Sequence, residues 1–208
     1  MTSWTLFLAP GTCAQAVHIT LHDAGAPHAL RVLDFSSAEQ RSPAYLAVNP
    51  RGRVPALITE QGTLTEVPAL LLFIAQSFPA AKLAPLDDPF RLAQLQAFTS
   101  YLCSTVHVAH AHKRRGARWV DDPGAIEAMQ RKVAANMTAC FDHIEADVLK
   151  GPWAFGQDYT IADPYLFTIG EWLEGDGVDM QRYPNLLAHR ARMLARESVQ
   201  RAKAALQQ

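Results

Sequence analysis

The chain has 208 residues, of which 49% are hydrophobic and 19% charged, and its formal net charge is −1. This composition is typical of a globular protein with a substantial core and excludes a wholly disordered chain. The near-neutral charge provides no field that would attract nucleic acid or an anionic membrane, so we predict neither as a partner.

The first third of the chain alternates segments of strand and helix length. Apolar runs predict strands, and apolar residues three or four positions apart predict helices. The predicted order is strand, helix, strand, helix, strand, strand, helix, at residues 4–8, 13–24, 29–35, 42–49, 54–58, 64–66 and 68–78. Strands that alternate with helices in this way favour an α/β domain built on a mixed sheet.

A segment rich in Pro and Ala, at residues 78–89, follows this region. Beyond it the periodicity is helical, and no stretch reads as a strand. Helices are predicted over residues 89–113, 124–149, 161–173, 184–194 and 197–206. We therefore predict an α/β domain at residues 1–80 and an all-α domain at residues 89–208.

Cytoplasmic location is predicted from three features. The N-terminal stretch "MTSWTLFLAPG" has no basic lead, and its apolar run ends at Pro10, so it does not resemble a secretion signal. The run "VPALLLFIAQSF" is far shorter than the ~20 residues that span a bilayer. Three widely spaced cysteines do not form a disulfide framework, which favours a reducing compartment.

Cys13 lies where the first predicted strand gives way to the first helix, just after a Pro10-Gly11 turn. The unpaired N–H groups and the dipole of a helix N-terminus favour an anion, so a cysteine there is placed for thiolate chemistry. The alternative is a small buried hydrophobic residue, a common role for cysteine outside disulfides. These residues alone leave both open.

Two further stretches fit a peptide-like ligand. In "NPRGRVPAL", a cis Val54-Pro55 bond at the strand entry would leave the N–H and C=O of Val54 available to an extended ligand, as in strand addition. Glu66 directly precedes the helix at 68–78, whose first N–H groups bind carboxylates while Glu66 binds an ammonium. For Glu66 the alternative is an ordinary helix-capping role.

Histidine spacing raises the question of a metal. His18 and His22 are four residues apart in the first predicted helix, and His107, His110 and His112 cluster in a later one. A zinc site needs three or four convergent ligands, and no cysteine or carboxylate stands at ligand spacing from these pairs. We predict no metal site.

The stretch "YTIADPYLF" contains a capping box, Thr-x-x-Asp, at Thr160 and Asp163. The Thr160 hydroxyl is expected to accept the Asp163 N–H, and the Asp163 carboxylate to accept the Thr160 N–H. This motif marks the start of a buried helix.

Taken together, four stretches resemble motifs of the cytosolic glutathione transferases, most closely the bacterial beta class. "APGTCAQAVHITLHDAG" is similar to the Ser-Pro-Gly-Ala-Cys-Ser signature, and "NPRGRVPAL" to Asn-Pro-x-Gly-x-Val-Pro-Ala-Leu. "LTEVPALLLFIA" is similar to the Leu-Thr-Glu-x-x-Ala-Ile helix start, and "FGQDYTIADPYLF" to the C-terminal capping box. The motifs stand in the family's order and spacing over nearly the whole chain.

The resemblance implies a thioredoxin-like, glutathione-binding domain at residues 1–80, an all-α domain at residues 89–208 that contributes the pocket for an electrophile, and a homodimer. It implies a detoxifying enzyme that conjugates glutathione, its co-substrate, to small electrophiles. By motif, the implied catalytic residues are Cys13 and His107, and the implied glutathione-binding residues are Arg53, Val54, cis-Pro55, Glu66 and Val67.

The chain departs from the family pattern mainly where hydroxyl groups are common. Ala9 and Ala14 replace serines that flank the cysteine in the class, Phe7 has no hydroxyl, and Val67 replaces a small residue. Cys13 remains the main candidate, either as a hydrogen-bond donor to the glutathione sulfur or as the thiolate of a disulfide exchange.

Two other functions stay open. One is a glutathione-dependent isomerase, dehalogenase or reductase, because a fold does not fix the reaction. The other is a binding module without turnover. The basic tract at residues 107–119 either attracts an acidic substrate or is a solvated helix end.

Overall fold

The structure is a computed structural model that describes residues 4–206. Its chain divides into two compact units, residues 4–92 with 194–206, and residues 93–193. The sequence predicts a second domain that continues to residue 208, whereas the structure groups residues 194–206 with the first unit. The physical reason is that the last helix packs on the first one.

Within residues 4–206, four strands form one mixed sheet in the order β2-β1-β3-β4. The strands are β1 (Trp4–Leu8), β2 (His28–Val32), β3 (Ala56–Thr59) and β4 (Gly62–Thr65). β1 runs parallel to β2 and antiparallel to β3, and β3 pairs antiparallel with β4. This confirms the predicted thioredoxin-like sheet.

Nine α-helices are described in the same range. They are α1 (Ala14–Asp23), α2 (Pro43–Val48), α3 (Val67–Ser77), α4 (Pro89–Tyr101), α5 (His107–Arg115), α6 (Pro123–His143), α7 (Ala162–Gly170), α8 (Pro184–Ala195) and α9 (Glu197–Ala204). π-helical turns, Leu102–Val106 and Ile144–Val148, follow α4 and α6. The first turn interrupts the helix predicted over residues 89–113, and the second ends the helix predicted over residues 124–149.

The sheet of the first unit is covered by helices on both faces. Alternate residues of β1 point to opposite faces, so each face can be described from its own side chains. Leu6 and Leu8 are fully buried, and α1 packs on β1 and against α3. On the other face, Phe7 packs against Tyr45 of α2, with ring centroids 5.5 Å apart. The end of β1 is thus held between helices, which fixes the position of Cys13 just beyond it.

The second unit is built around α7, whose residues are all buried. A helix that is apolar all round belongs in a core. The π-helical turn Leu102–Val106 contacts α7, and α5 packs on α6. The helical second domain that the sequence predicts is confirmed as all-α. Among residues 4–206, no helix combines the length and the apolar character that a bilayer crossing requires.

Candidate functional site

Cys13 is the residue immediately before α1, and 7% of it is exposed. Gly11, at φ +70°, turns the chain from β1 into the helix start. The thiol Sγ lies 3.8 Å from the carbonyl oxygen of Val54, to which its S–H donates. The structure therefore brings together two predicted site residues that are 41 positions apart.

The segment before β3 has a cis peptide bond between Val54 and Pro55, as the resemblance implies. Its backbone is fixed at Arg53, whose carbonyl accepts hydrogen bonds from Tyr45 Oη at 2.6 Å and Asn49 Nδ2 at 2.7 Å. Tyr45 and Asn49 are each 3% exposed. Burial raises the pKa of Tyr45 to about 12, so its phenol stays a donor at neutral pH.

Sequence reasoning missed both Tyr45 and Asn49. Asn49 opens the stretch "NPRGRVPAL" and Tyr45 is the aromatic residue of the short helix before it, so a signal was present in each case. What the sequence does not show is that both side chains converge on one carbonyl oxygen.

Glu66 stands before α3 with φ +71° and ψ +120°, a backbone conformation that non-glycine residues rarely adopt. Such outliers persist where the surroundings over-determine them, often at ligand sites. Within the described residues, its carboxylate makes no capping hydrogen bond to α3, which disfavours the capping alternative. Val67, the first residue of α3, has a buried side chain. Its contribution at the N-terminus of α3 is therefore expected to come from its backbone.

The Glu66 carboxylate instead forms an ion pair with Arg51, at 2.6 Å from Nη1 to Oε1. The side chains are 54% and 61% exposed, so solvent screens the pair and it adds little to stability. Arg51 was not among the predicted site residues, although it belongs to the same motif as Arg53. The pair presents one anion and one cation side by side on the first unit.

His107, the second predicted catalytic residue, lies in the second unit at the first position of α5. It follows directly on the π-helical turn Leu102–Val106, and such turns are frequent at functional sites. Its ring centroid is 5.0 Å from that of Trp172. The structure thus gives His107 an aromatic neighbour that the sequence did not indicate.

Trp172 also stacks on His110, with centroids 4.3 Å apart and planes 24° apart. His110 Nδ1 is 2.7 Å from Oδ2 of the buried Asp176, and Lys113 Nζ is 3.4 Å from Oδ1 of the same carboxylate. Asp176 therefore offsets part of the positive charge of Lys113, the first lysine or arginine of the tract at residues 107–119.

A third cluster lies apart from these groups, in the first unit. His18, His22 and His28 each offer a ring nitrogen, and the three nitrogens lie within 4.8 Å of one another. Of this trio, the prediction of no metal site considered only His18 and His22, because His28 belongs to the next element and carries no helical spacing signal.

In comparisons with known proteins, one family model matches the N-terminal part of the chain and another matches the C-terminal part. The glutathione S-transferase N-terminal domain family matches residues 11–77, and the glutathione S-transferase C-terminal domain family matches residues 111–192. The curated glutathione S-transferase GstA of Escherichia coli O157:H7 is 31% identical over 203 residues, covering 96% of this chain and 97% of its own.

Two solved structures extend the likeness to the whole fold. A glutathione transferase homolog from Sulfitobacter, with bound glutathione, is 46% identical with a TM-score of 0.95 and covers 99% of each chain. A beta class glutathione S-transferase of Sphingomonas chungbukensis is 33% identical with a TM-score of 0.84, covering 97% of this chain and 98% of that one.

Proposed function

The chain belongs to the glutathione S-transferase family, and from this premise we propose that it conjugates the thiolate of glutathione to small electrophiles. The observation that carries the proposal is the 3.8 Å contact between the Cys13 thiol and the Val54 carbonyl. It joins a helix N-terminus to the backbone segment just before β3, which are the two elements that a thiol-containing peptide needs.

The cysteinyl part of glutathione would pair with the backbone of Val54 by strand addition. In that mode, main-chain hydrogen bonds provide the affinity, and a backbone that is already fixed saves ordering entropy. Tyr45 and Asn49 hold the preceding carbonyl at 2.6 and 2.7 Å, which restrains Arg53 and Val54 before any ligand arrives. Pro55 then leads directly into β3.

The γ-glutamyl head group carries an ammonium and a carboxylate, and the pair Glu66–Arg51 offers one partner for each. Glu66 would bind the ammonium, while Arg51 and the backbone N–H of Val67 at the start of α3 would bind the carboxylate. A pair that is more than half exposed can open to admit both charges at small cost.

In the described geometry Cys13 acts as a donor, because a carbonyl oxygen at 3.8 Å favours a thiol over a thiolate. Conjugation follows from that role. The glutathione thiol, with an ordinary pKa of ~8.5, must release its proton to solvent. The Cys13 S–H, once turned from the Val54 carbonyl toward the glutathione sulfur, would stabilise the resulting thiolate. The sulfur lone pair then forms the bond to the electrophile, by addition or with loss of a leaving group.

Disulfide exchange is a second activity of the same thiol. Cys13 would lose its proton, attack one sulfur of a disulfide and release the other as a thiolate. A glutathione thiolate would then attack the mixed disulfide and regenerate Cys13. Both routes turn the S–H away from the Val54 carbonyl, but exchange also removes its proton, and a carbonyl neighbour favours the protonated thiol that conjugation uses.

In the second unit we propose that His107 and Trp172 contribute to binding the electrophile, since their rings form an aromatic pair 5.0 Å apart. The proposal also includes a homodimer, a detoxifying role and a cytoplasmic location. Light scattering of the purified chain tests the dimer and expects twice the mass of one chain.

The test is calorimetric binding of glutathione together with turnover of a chloronitroarene. It uses the wild type, Cys13→Ala, and Cys103→Ala as a matched cysteine control. We expect all three to bind glutathione and only Cys13→Ala to lose turnover, by about 10-fold or more, the loss that follows from removing one transition-state donor.

Full turnover by Cys13→Ala would refute the role of Cys13 and leave the family assignment intact. Absence of glutathione binding in the wild type would overturn the proposal. Binding without turnover in every protein would identify an isomerase or a binding module instead.

A further inference from the structure

Three imidazoles converge where α1 ends and β2 begins. His18 and His22 lie one turn apart on α1, and His28 is the first residue of β2. The Nε2 atoms of His18 and His22 are 3.1 Å apart, and a ring nitrogen of His28 lies with theirs inside 4.8 Å. We propose that this trio binds a divalent transition-metal ion, with Zn²⁺ as the reference ion.

The distances suit such an ion. At a tetrahedral zinc with Zn–N bonds of ~2.05 Å, two ligand nitrogens are separated by about 3.3 Å. The 3.1 Å separation of His18 and His22 is already close to this value. The three ring centroids are 4.7, 5.0 and 5.4 Å apart, so the rings surround one point rather than stacking on one another. The His28 nitrogen lies within 4.8 Å of the other two and must come closer to complete the triangle.

His28 is already oriented as a ligand. Its Nδ1 is 2.8 Å from the carbonyl oxygen of Ala26. A carbonyl only accepts hydrogen bonds, so Nδ1 carries the proton and Nε2 keeps its lone pair. Metal-binding histidines characteristically donate their other ring N–H to a carbonyl or carboxylate, which fixes the tautomer and the ring orientation.

His18 is the buried member of the trio. It is 1% exposed, and its Nδ1 has no hydrogen-bond partner among the residues that the structure describes. The ligand atom of the proposed site is Nε2, which in the metal-free chain shares a hydrogen bond with Nε2 of His22 at 3.1 Å.

A route to the cluster exists on the His22 side. His22 lines a cavity of about 370 Å³ together with Asp23, Arg196, Glu197, Ser198 and Arg201. The two carboxylates offset the two guanidinium groups, and Arg196 is paired with Asp23 at 2.7 Å. The cavity admits an ion and has room for water as the fourth ligand, which is the pattern of a three-ligand open site.

The test is titration of the full chain with Zn²⁺ after treatment with a chelator and desalting. We expect one equivalent to bind, and the visible spectrum of the Co²⁺ form to show tetrahedral bands. His22→Gln and His28→Gln are each expected to weaken binding ~10-fold or more. The matched control is His143→Gln, an exposed histidine of the second unit, which should bind as the wild type does.

Three outcomes would overturn the proposal. They are no saturable binding, equal binding by His22→Gln and His28→Gln, or binding that disappears in Cys13→Ala and persists in the histidine variants. Circular dichroism checks that each variant is folded. If a variant is not, imidazole NMR of the wild type decides, because only ligand histidines shift with one equivalent of Zn²⁺. None of these readouts uses glutathione, so the result is independent of the proposed function.

Discussion

His189 Nε2 donates a hydrogen bond of 3.0 Å to Asp163 Oδ1, and the two side chains are 1% and 0% exposed. The same carboxylate accepts the backbone N–H groups of Ala154 and Thr160, both at 2.8 Å. The predicted capping-box hydrogen bond from the Thr160 N–H to the Asp163 carboxylate is confirmed. The reciprocal half is wrong, because the Thr160 hydroxyl accepts from the N–H of Ala162 at 3.3 Å rather than from Asp163.

Asp163→Ala is expected to lower the free energy of unfolding by about 3–5 kcal/mol, since it leaves four buried donor groups without their acceptor. Thr160→Ala removes the two long hydrogen bonds of its hydroxyl, at 3.3 and 3.4 Å, and should cost ~1 kcal/mol. Urea unfolding followed by circular dichroism measures both, with Asp163→Asn in reserve if the alanine variant does not fold. A loss below ~1 kcal/mol for Asp163→Ala would show that Asp163 is not the hub described.

Arg51→Ala and Glu66→Gln are expected to act on glutathione binding and not on stability. The pair is mostly exposed, so each change should alter the free energy of unfolding by less than ~1 kcal/mol. Each removes one charge partner of the γ-glutamyl head, and we expect the Kd for glutathione to rise about 10-fold.

Calorimetry with glutathione measures that change. The matched control is Glu127→Gln, which breaks the exposed Glu127–Arg131 pair, at 3.8 Å, in the second unit. An unchanged Kd in both Arg51→Ala and Glu66→Gln would remove this pair from the site.

Tyr45→Phe should weaken glutathione binding without contacting the ligand. The change deletes one of the two hydrogen bonds to the Arg53 carbonyl and is expected to cost ~1 kcal/mol of stability. In Tyr45→Phe, Asn49 still holds that carbonyl. The double variant with Asn49→Ala should therefore lose more glutathione affinity than the sum of the losses in the two single variants. A double-mutant cycle on the glutathione Kd tests this, and strict additivity would contradict a shared positioning role.

His18 makes the stability of the metal-free chain depend on pH. Burial lowers its pKa from 6.5 to about 3 in the folded state, so the unfolded state binds the extra proton first as the pH falls. The associated stability is fully present above pH 6.5 and is lost progressively toward pH 3. Between pH 7 and 5 this amounts to about 2 kcal/mol.

Urea unfolding in the presence of a chelator, at pH 7 and pH 5, measures the effect. His18→Leu should flatten the difference between the two pH values, and His143→Gln should preserve it. A wild-type chain that is equally stable at both would refute the lowered pKa.

Local patterns predicted much of the first unit. The spacing of apolar residues predicts the alternation of strands and helices. The Pro10-Gly11 turn predicts that Cys13 lies at the start of the first helix. The proximity of Cys13 to Val54 was indicated only by the family resemblance. Periodicity reports which face of an element is buried, but not which distant element covers it.

The residues that sequence reasoning missed are those whose partners come from another element. Arg51 forms an ion pair with Glu66, which lies 15 positions later in the chain. His28 meets His18 across the turn from α1 into β2. The π-helical turn before His107 was also invisible, because one extra residue in a turn barely disturbs an apolar repeat.

The pairing of Arg196 with Asp23 spans 173 positions of the chain. During synthesis at ~5–20 residues per second, Asp23 would leave the ribosome about 9–35 s before its partner. Through that interval the face of α1 that α9 later covers remains open to water and to chaperones. We therefore expect nascent chains arrested before Arg196 to be cut by protease in the first unit, although nearly all of that unit has already been made.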